Sequence, residues 1–113
     1  MPRPPTLVGE TIKTLTPFGV LFATINHTEN GIPYEVFLRI GKAGSDIYGF
    51  AEGYGRLISL YLGSGGRLEK IVDQLKDIGG SRTIIEDGSR IHSLPDAIAI
   101  SIQTYIQGRL INQ

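Results

Sequence analysis

Hydrophobic and polar positions alternate with period two through the first third of the chain, then switch to helical spacing after residue 45. The stretches ETIKTLT (10–16) and VLFATIN (20–26) alternate or run apolar with strand-forming residues. Between them TPFG suits a tight turn, because Pro17 presets one dihedral and Gly19 is free to close it. HTENGIP (27–33) carries Asn30-Gly31, a strong turn signal. YEVFLRI (34–40) then sets Val36, Leu38 and Ile40 on one side against Glu35, Phe37 and Arg39 on the other. Three strands with short links predict an antiparallel meander.

After GKAGS (41–45), the positions Ile47, Phe50, Ala51, Tyr54, Leu57, Ile58 and Tyr61 follow helical spacing, with Ser45 or Asp46 as cap. Tyr48, Leu60 and Leu62 point elsewhere, and Glu52, Arg56 and Ser59 supply most of the polarity. A helix over 46–62 that is apolar on more than one side is buried on more than one side, which predicts a subunit interface as well as a core. GSGG (63–66) ends it. RLEKIVDQLKDI (67–78) predicts a second helix with Leu68, Ile71, Val72, Leu75 and Ile78 facing in. Residues 79–93 read as a small hairpin around Asp87-Gly88, and a third helix follows with Ile98, Ile102 and Ile106 along one side and Ala99 beside them. The expected fold is α+β, a three- to four-stranded antiparallel meander packed by three helices over residues 9–113. An extended arm with three prolines, 1–8, precedes it.

At 113 residues the chain has room for one modest core. Eleven basic residues balance eleven acidic ones, so no net field draws in nucleic acid or an anionic membrane, although this leaves a local patch open. No run approaches the roughly 18 apolar residues that span a bilayer, and the N-terminus lacks the apolar stretch of a signal peptide. A cytoplasmic protein is expected. The absence of cysteine excludes disulfides, thiolate metal sites and cysteine nucleophiles.

IHSLPDAIAISI (91–102) holds the side-chain types of a hydrolase triad within five residues. A triad is normally assembled from separated segments, whereas neighbours at a helix start diverge. Ser93 three residues before Asp96, with Pro95 in the first turn, is instead a capping arrangement. GKAGS fails the phosphate-loop pattern, since Val36 and Ala43 stand where glycine and Ser or Thr are required. What remains is a glycine-flexed turn carrying a lysine beside a helix start, able either to sit solvated or to hold an anion. Two histidines, His27 and His92, make no metal cluster, and no cofactor is implied. The candidate anion- or nucleotide-binding residues are Arg39, Lys42, Gly44, Ser45, Tyr54, Arg56 and His92. Arg82 and Arg90 are further cations that could converge on an anion.

Three stretches together, LVGETIKTLTPFGVLFATIN, GIPYEVFLRIGKAGSD with AEGYGRLISLYLGSG behind it, and HSLPDAIA, resemble a known family. It is the TSCPD domain, the C-terminal accessory domain of adenosylcobalamin-dependent ribonucleotide reductases, named after a pentapeptide. The resemblance runs from Arg3 to Ala99, with EVFLRIGKAGS and GRLISLYL its most specific segments. The pentapeptide's cysteine falls at Leu94 and its first threonine at His92, while Ser93, Pro95 and Asp96 keep their identities. The resemblance implies a freestanding module from nucleotide metabolism that kept the scaffold and lost the thiol. It implies no enzyme, but a homo-oligomeric accessory module whose partner is a ribonucleotide reductase or a nucleotide ligand.

Overall fold

The computed structural model describes residues 2–79, 84–86, 89–91 and 93–111. The meander is there as β1 (Val8–Thr16), β2 (Gly19–His27) and β3 (Pro33–Ile40), an antiparallel sheet in the order β1-β2-β3. Thr16 pairs with Gly19 across the first turn, and the register holds until a shift at Asn26/His27. The second turn closes by Gly31 N–H donating to the Thr28 carbonyl at 2.8 Å and Thr28 N–H to the Ile32 carbonyl at 2.9 Å.

Period two then decides which face is covered. Leu21, Ala23 and Ile25 of β2 lie opposite Ile40, Leu38 and Val36 of β3, and all six are buried. On the other face Lys13, Phe22 and Arg39 form one cross-strand row, Thr11, Thr24 and Phe37 the next.

Helix α1 (Asp46–Gly63) packs on β3. Its buried residues are Ala51, Gly55, Ile58 and Leu62. At Gly55 a Cβ would stand 3.2 Å from the Val36 carbonyl oxygen, so glycine sets how near the helix comes to the strand. The Ser59 hydroxyl exploits this approach. It accepts the Val36 N–H and donates to the Val36 carbonyl, both at 3.0 Å, and so occupies edge positions that a fourth strand would take. The sequence pattern put Phe50, Leu57 and Tyr61 inward and Leu62 outward. The structure reverses this: Leu62 is buried, and Phe50, Leu57 and Tyr61 are 63%, 67% and 40% exposed, while Leu60 points outward as expected at 68%. The inward stripe is the one whose small residues, Ala51 and Gly55, allow contact with the sheet.

Helix α2 (Leu68–Leu75) buries Leu68, Ile71 and Val72 and stops three residues earlier than its apolar spacing predicts. The cause lies in the next helix. Ile78, expected inward, is 40% exposed because its carbonyl accepts the Ser93 hydroxyl at 2.7 Å. The preceding Asp77 turns to φ 62° with its N–H on the Asp96 carboxylate at 2.8 Å. Two short strands, β4 (Ile84–Glu86) and β5 (Ser89–Ile91), form the expected hairpin. Its Asp87-Gly88 turn lies outside the described residues, as do Arg82 and His92.

Helix α3 (Leu94–Ile111) packs on β1 and β2 with one side and on α2 with another, which is why it is apolar nearly all round. Ile98, Ser101 and Ile102 are fully buried. The Ser101 hydroxyl donates to the Ala97 carbonyl at 2.9 Å, so the Thr14 hydroxyl must be the donor in their 2.8 Å bond. All three helices cover one face and one edge of the sheet. Among the described residues no helix packs on its other face, which is bare.

Candidate functional site

The bare face and the flank of α1 enclose a groove of about 830 Å³. The sheet supplies Phe22, Phe37, Arg39 and two threonines, and α1 supplies Tyr48, Glu52 and Arg56. Arg56 meets Glu52 at 3.5 Å, the i,i+4 pair its spacing predicts, but both side chains are largely exposed, so the link is weak. Thr11 and Thr24 share a 2.8 Å hydroxyl bond on the floor. Among the described residues no carboxylate lies in ion-pair range of Lys13 or Arg39.

One end of the groove is closed by Glu35. Its period-two position belongs to the bare face, yet it is buried. The Arg3 guanidinium grips it at 2.9 and 3.0 Å, and the Asn26 amide donates at 2.7 Å. These donors hold its carboxyl below the ordinary glutamate range, Arg3 first, against the desolvation that would raise it. The N-terminal arm is therefore tied to the sheet at this point.

Of the residues singled out from sequence, Arg39 and Arg56 share the groove. Lys42, Gly44 and Ser45 sit on the turn before α1 and do not line it. That turn is shaped by positive φ at Gly41 (71°) and Gly44 (88°). The Ser45 hydroxyl is engaged in it, donating to the Lys42 carbonyl at 2.7 Å and accepting the Tyr48 N–H at 3.3 Å as helix cap. Tyr54 is half-buried against the core, away from the groove. His92 lies outside the described residues.

Sequence reasoning missed Phe22 and Lys13, although carrying the alternation of β3 across to β2 and β1 would have placed them beside Arg39. It also missed a second polar cluster, where α3 meets the turn after β2. Arg109 donates to the Tyr105 hydroxyl at 3.1 Å and to the Gly31 carbonyl at 3.0 Å, and Tyr105 lies 3.3 Å from His27 Nδ1. Burial pushes the Tyr105 hydroxyl up, and the Arg109 cation opposes it. No short-range signal joins residues 78 positions apart. Among the described residues no group of three potential metal ligands occurs, and no helix is long and apolar enough to cross a membrane.

A family model for the TSCPD domain matches residues 2–106. The chain belongs to the TSCPD domain family. Comparison with curated proteins and with solved structures gives no match. In this TSCPD domain the naming pentapeptide does structural work. Ser93 caps α3 by accepting the Asp96 N–H at 3.2 Å, as its spacing predicts, and Ser93 and Asp96 together hold the backbone of Asp77 and Ile78. Leu94, standing at the family's cysteine, is buried in the core.

Proposed function

We propose that this TSCPD domain is a non-catalytic accessory module that works by binding, and that it associates with itself through α1. The observation carrying this reading is the outward stripe of α1. Phe50, Leu57 and Leu60 are exposed side by side with Gly53 among them and no charge on the stripe. Exposed apolar contacts of this continuity mark association surfaces. A second copy is the occupant that fits. A two-fold axis across the helix near Gly53 and Tyr54 sets Glu52 of each copy towards Arg56 of the other, the self-complementarity an isologous interface requires. The reading calls for no cofactor, and its family context makes a ribonucleotide reductase the natural protein partner. Sedimentation velocity from 1 to about 100 μM is expected to give a symmetric oligomer. A monomer at every concentration would overturn the self-association.

A second reading is favoured by Arg39 and Arg56, which line one groove with three aromatic rings. It is that the module holds a nucleotide there, its phosphate on the arginines and its base on a ring. Native mass spectrometry of gently purified protein, with nucleotide-sized extra mass on the oligomer, is the supporting result. Calorimetry with a panel of free nucleotides that gives no heat at about 100 μM protein would exclude affinity tighter than roughly that value.

A further inference from the structure

We propose that the bare face of the sheet binds single-stranded nucleic acid, stacking two successive unpaired bases on Phe22 and Phe37. The proposal rests on the groove being a binding site, the second reading above, but commits to a polymer occupant and a larger residue set.

The register builds the site. Phe22 stands between Lys13 and Arg39 in one cross-strand row, so a ring is flanked on both sides by a cation. Phe37 pairs with Thr24, two residues along β2 from Phe22, which makes the two rings diagonal neighbours about 7–8 Å apart at the backbone. Phe22 and Phe37 are 43% and 57% exposed, so each offers a ring face without any rearrangement of the core. Arg56 adds a third cation and Tyr48 a third ring on the α1 wall. Of the two acids nearby, Glu35 is held by Arg3 and Asn26, and Glu52 meets Arg56 only in the weak exposed pair at 3.5 Å.

Aromatic rings interleaved with cations on an open antiparallel face match what single strands need. Bases stack on the rings whatever their identity, and the backbone phosphates meet the cations. Two rings argue for two linked bases over one free nucleotide, as does a groove of about 830 Å³, towards the upper end of ordinary ligand sites. A duplex keeps its bases stacked and cannot offer them to the rings. The chain's zero net charge does not report on this patch, which sets Lys13, Arg39 and Arg56 beside Glu35 and Glu52.

The test is fluorescence anisotropy of the full chain with labelled single-stranded 8-mers of DNA and RNA at about 50 mM salt. A duplex of the same sequence, a mononucleotide and a cyclic dinucleotide serve as competitors. Saturable binding of the single strand in preference to the duplex is expected. Phe22→Ala and Phe37→Ala should each weaken it about tenfold, within the range measured for one stacked base. Lys13→Glu should weaken it and flatten the salt dependence, whereas Lys70→Glu, an exposed change on α2, should leave it unaltered. Both phenylalanines are exposed, and circular dichroism with thermal melts verifies that the variants fold. No single-strand binding at 100 μM, equal binding of duplex, or indifference to both phenylalanine changes would overturn the proposal. Binding of a free nucleotide or cyclic dinucleotide without the single strand would overturn it too, while leaving the second reading intact.

Discussion

Ser93 shows how much one side chain carries where two helices meet. Its hydroxyl accepts the Asp96 N–H and donates to the Ile78 carbonyl, so it both starts α3 and ends the run after α2. Ser93→Ala removes a cap and leaves a carbonyl without its donor, a loss of about 1–2 kcal/mol. A melting temperature lower by roughly 5–10 °C is the expected reading; an unchanged value would mean that the pentapeptide is not a clasp. Glu35 acts differently, through charge. Its carboxyl is held below the ordinary range, so the stability it lends is present above a normal glutamate pKa, about 4.3, and is lost as pH falls through the lower folded value. Arg3 stays charged throughout. Wild type should therefore melt above Glu35→Gln at pH 6, with the gap closing towards pH 3. A gap independent of pH would assign the effect to packing alone.

At the scale of elements, α1 and β3 meet through an atom that is missing. Gly55 lets the helix lie against Val36 and Leu38 closely enough for Ser59 to bond the strand edge. Gly55→Val brings three heavy atoms into that contact and should destabilise by about 1–3 kcal/mol. Denaturant melts measure it, and a neutral result would mean that α1 can shift outward freely. This contact also explains what the sequence could and could not say. The three strands were legible because their apolar residues recur with period two, so Val36, Leu38 and Ile40 alternate with the exposed Phe37 and Arg39. The cap at Ser93 was legible because capping is local. The inward side of α1 was not, because both of its faces are apolar and periodicity cannot rank them; the small side chains at Ala51 and Gly55 were the discriminating signal. The end of α2 was hidden for another reason. It is set by Ser93 and Asp96, well along the chain, and the Tyr105–Arg109–His27 cluster is equally non-local. Of the candidate site, Arg39 and Arg56 were found as cations, but their partners Phe22 and Lys13 required the register.

The whole molecule is flat, 39 × 34 × 20 Å, and exposes 7225 Å², whereas a compact 12.3 kDa monomer is expected to expose about 6,100 Å². The bare sheet face and the α1 flank of Tyr48, Glu52 and Arg56 bound the groove, and the outward stripe of Phe50, Leu57 and Leu60 lies outside it. If the stripe is covered by a second copy, Leu57→Glu tests it cleanly. The residue is two-thirds exposed in the single chain, so a carboxylate there leaves the core alone. In the paired state it would be buried without a partner, a penalty of about 3–5 kcal/mol, or at least a hundredfold in dissociation constant. Sedimentation should move from oligomer to monomer while the circular dichroism spectrum stays unchanged. The two-fold geometry makes a sharper demand. Arg56→Glu alone sets carboxylates against each other across the axis and should weaken association. Glu52→Arg together with Arg56→Glu restores opposite charges both within and between copies, and should recover it. An oligomer that persists through Leu57→Glu would place the interface elsewhere while keeping self-association. Recovery by the double swap is the outcome that fixes both the surface and the antiparallel sense in which two α1 helices meet.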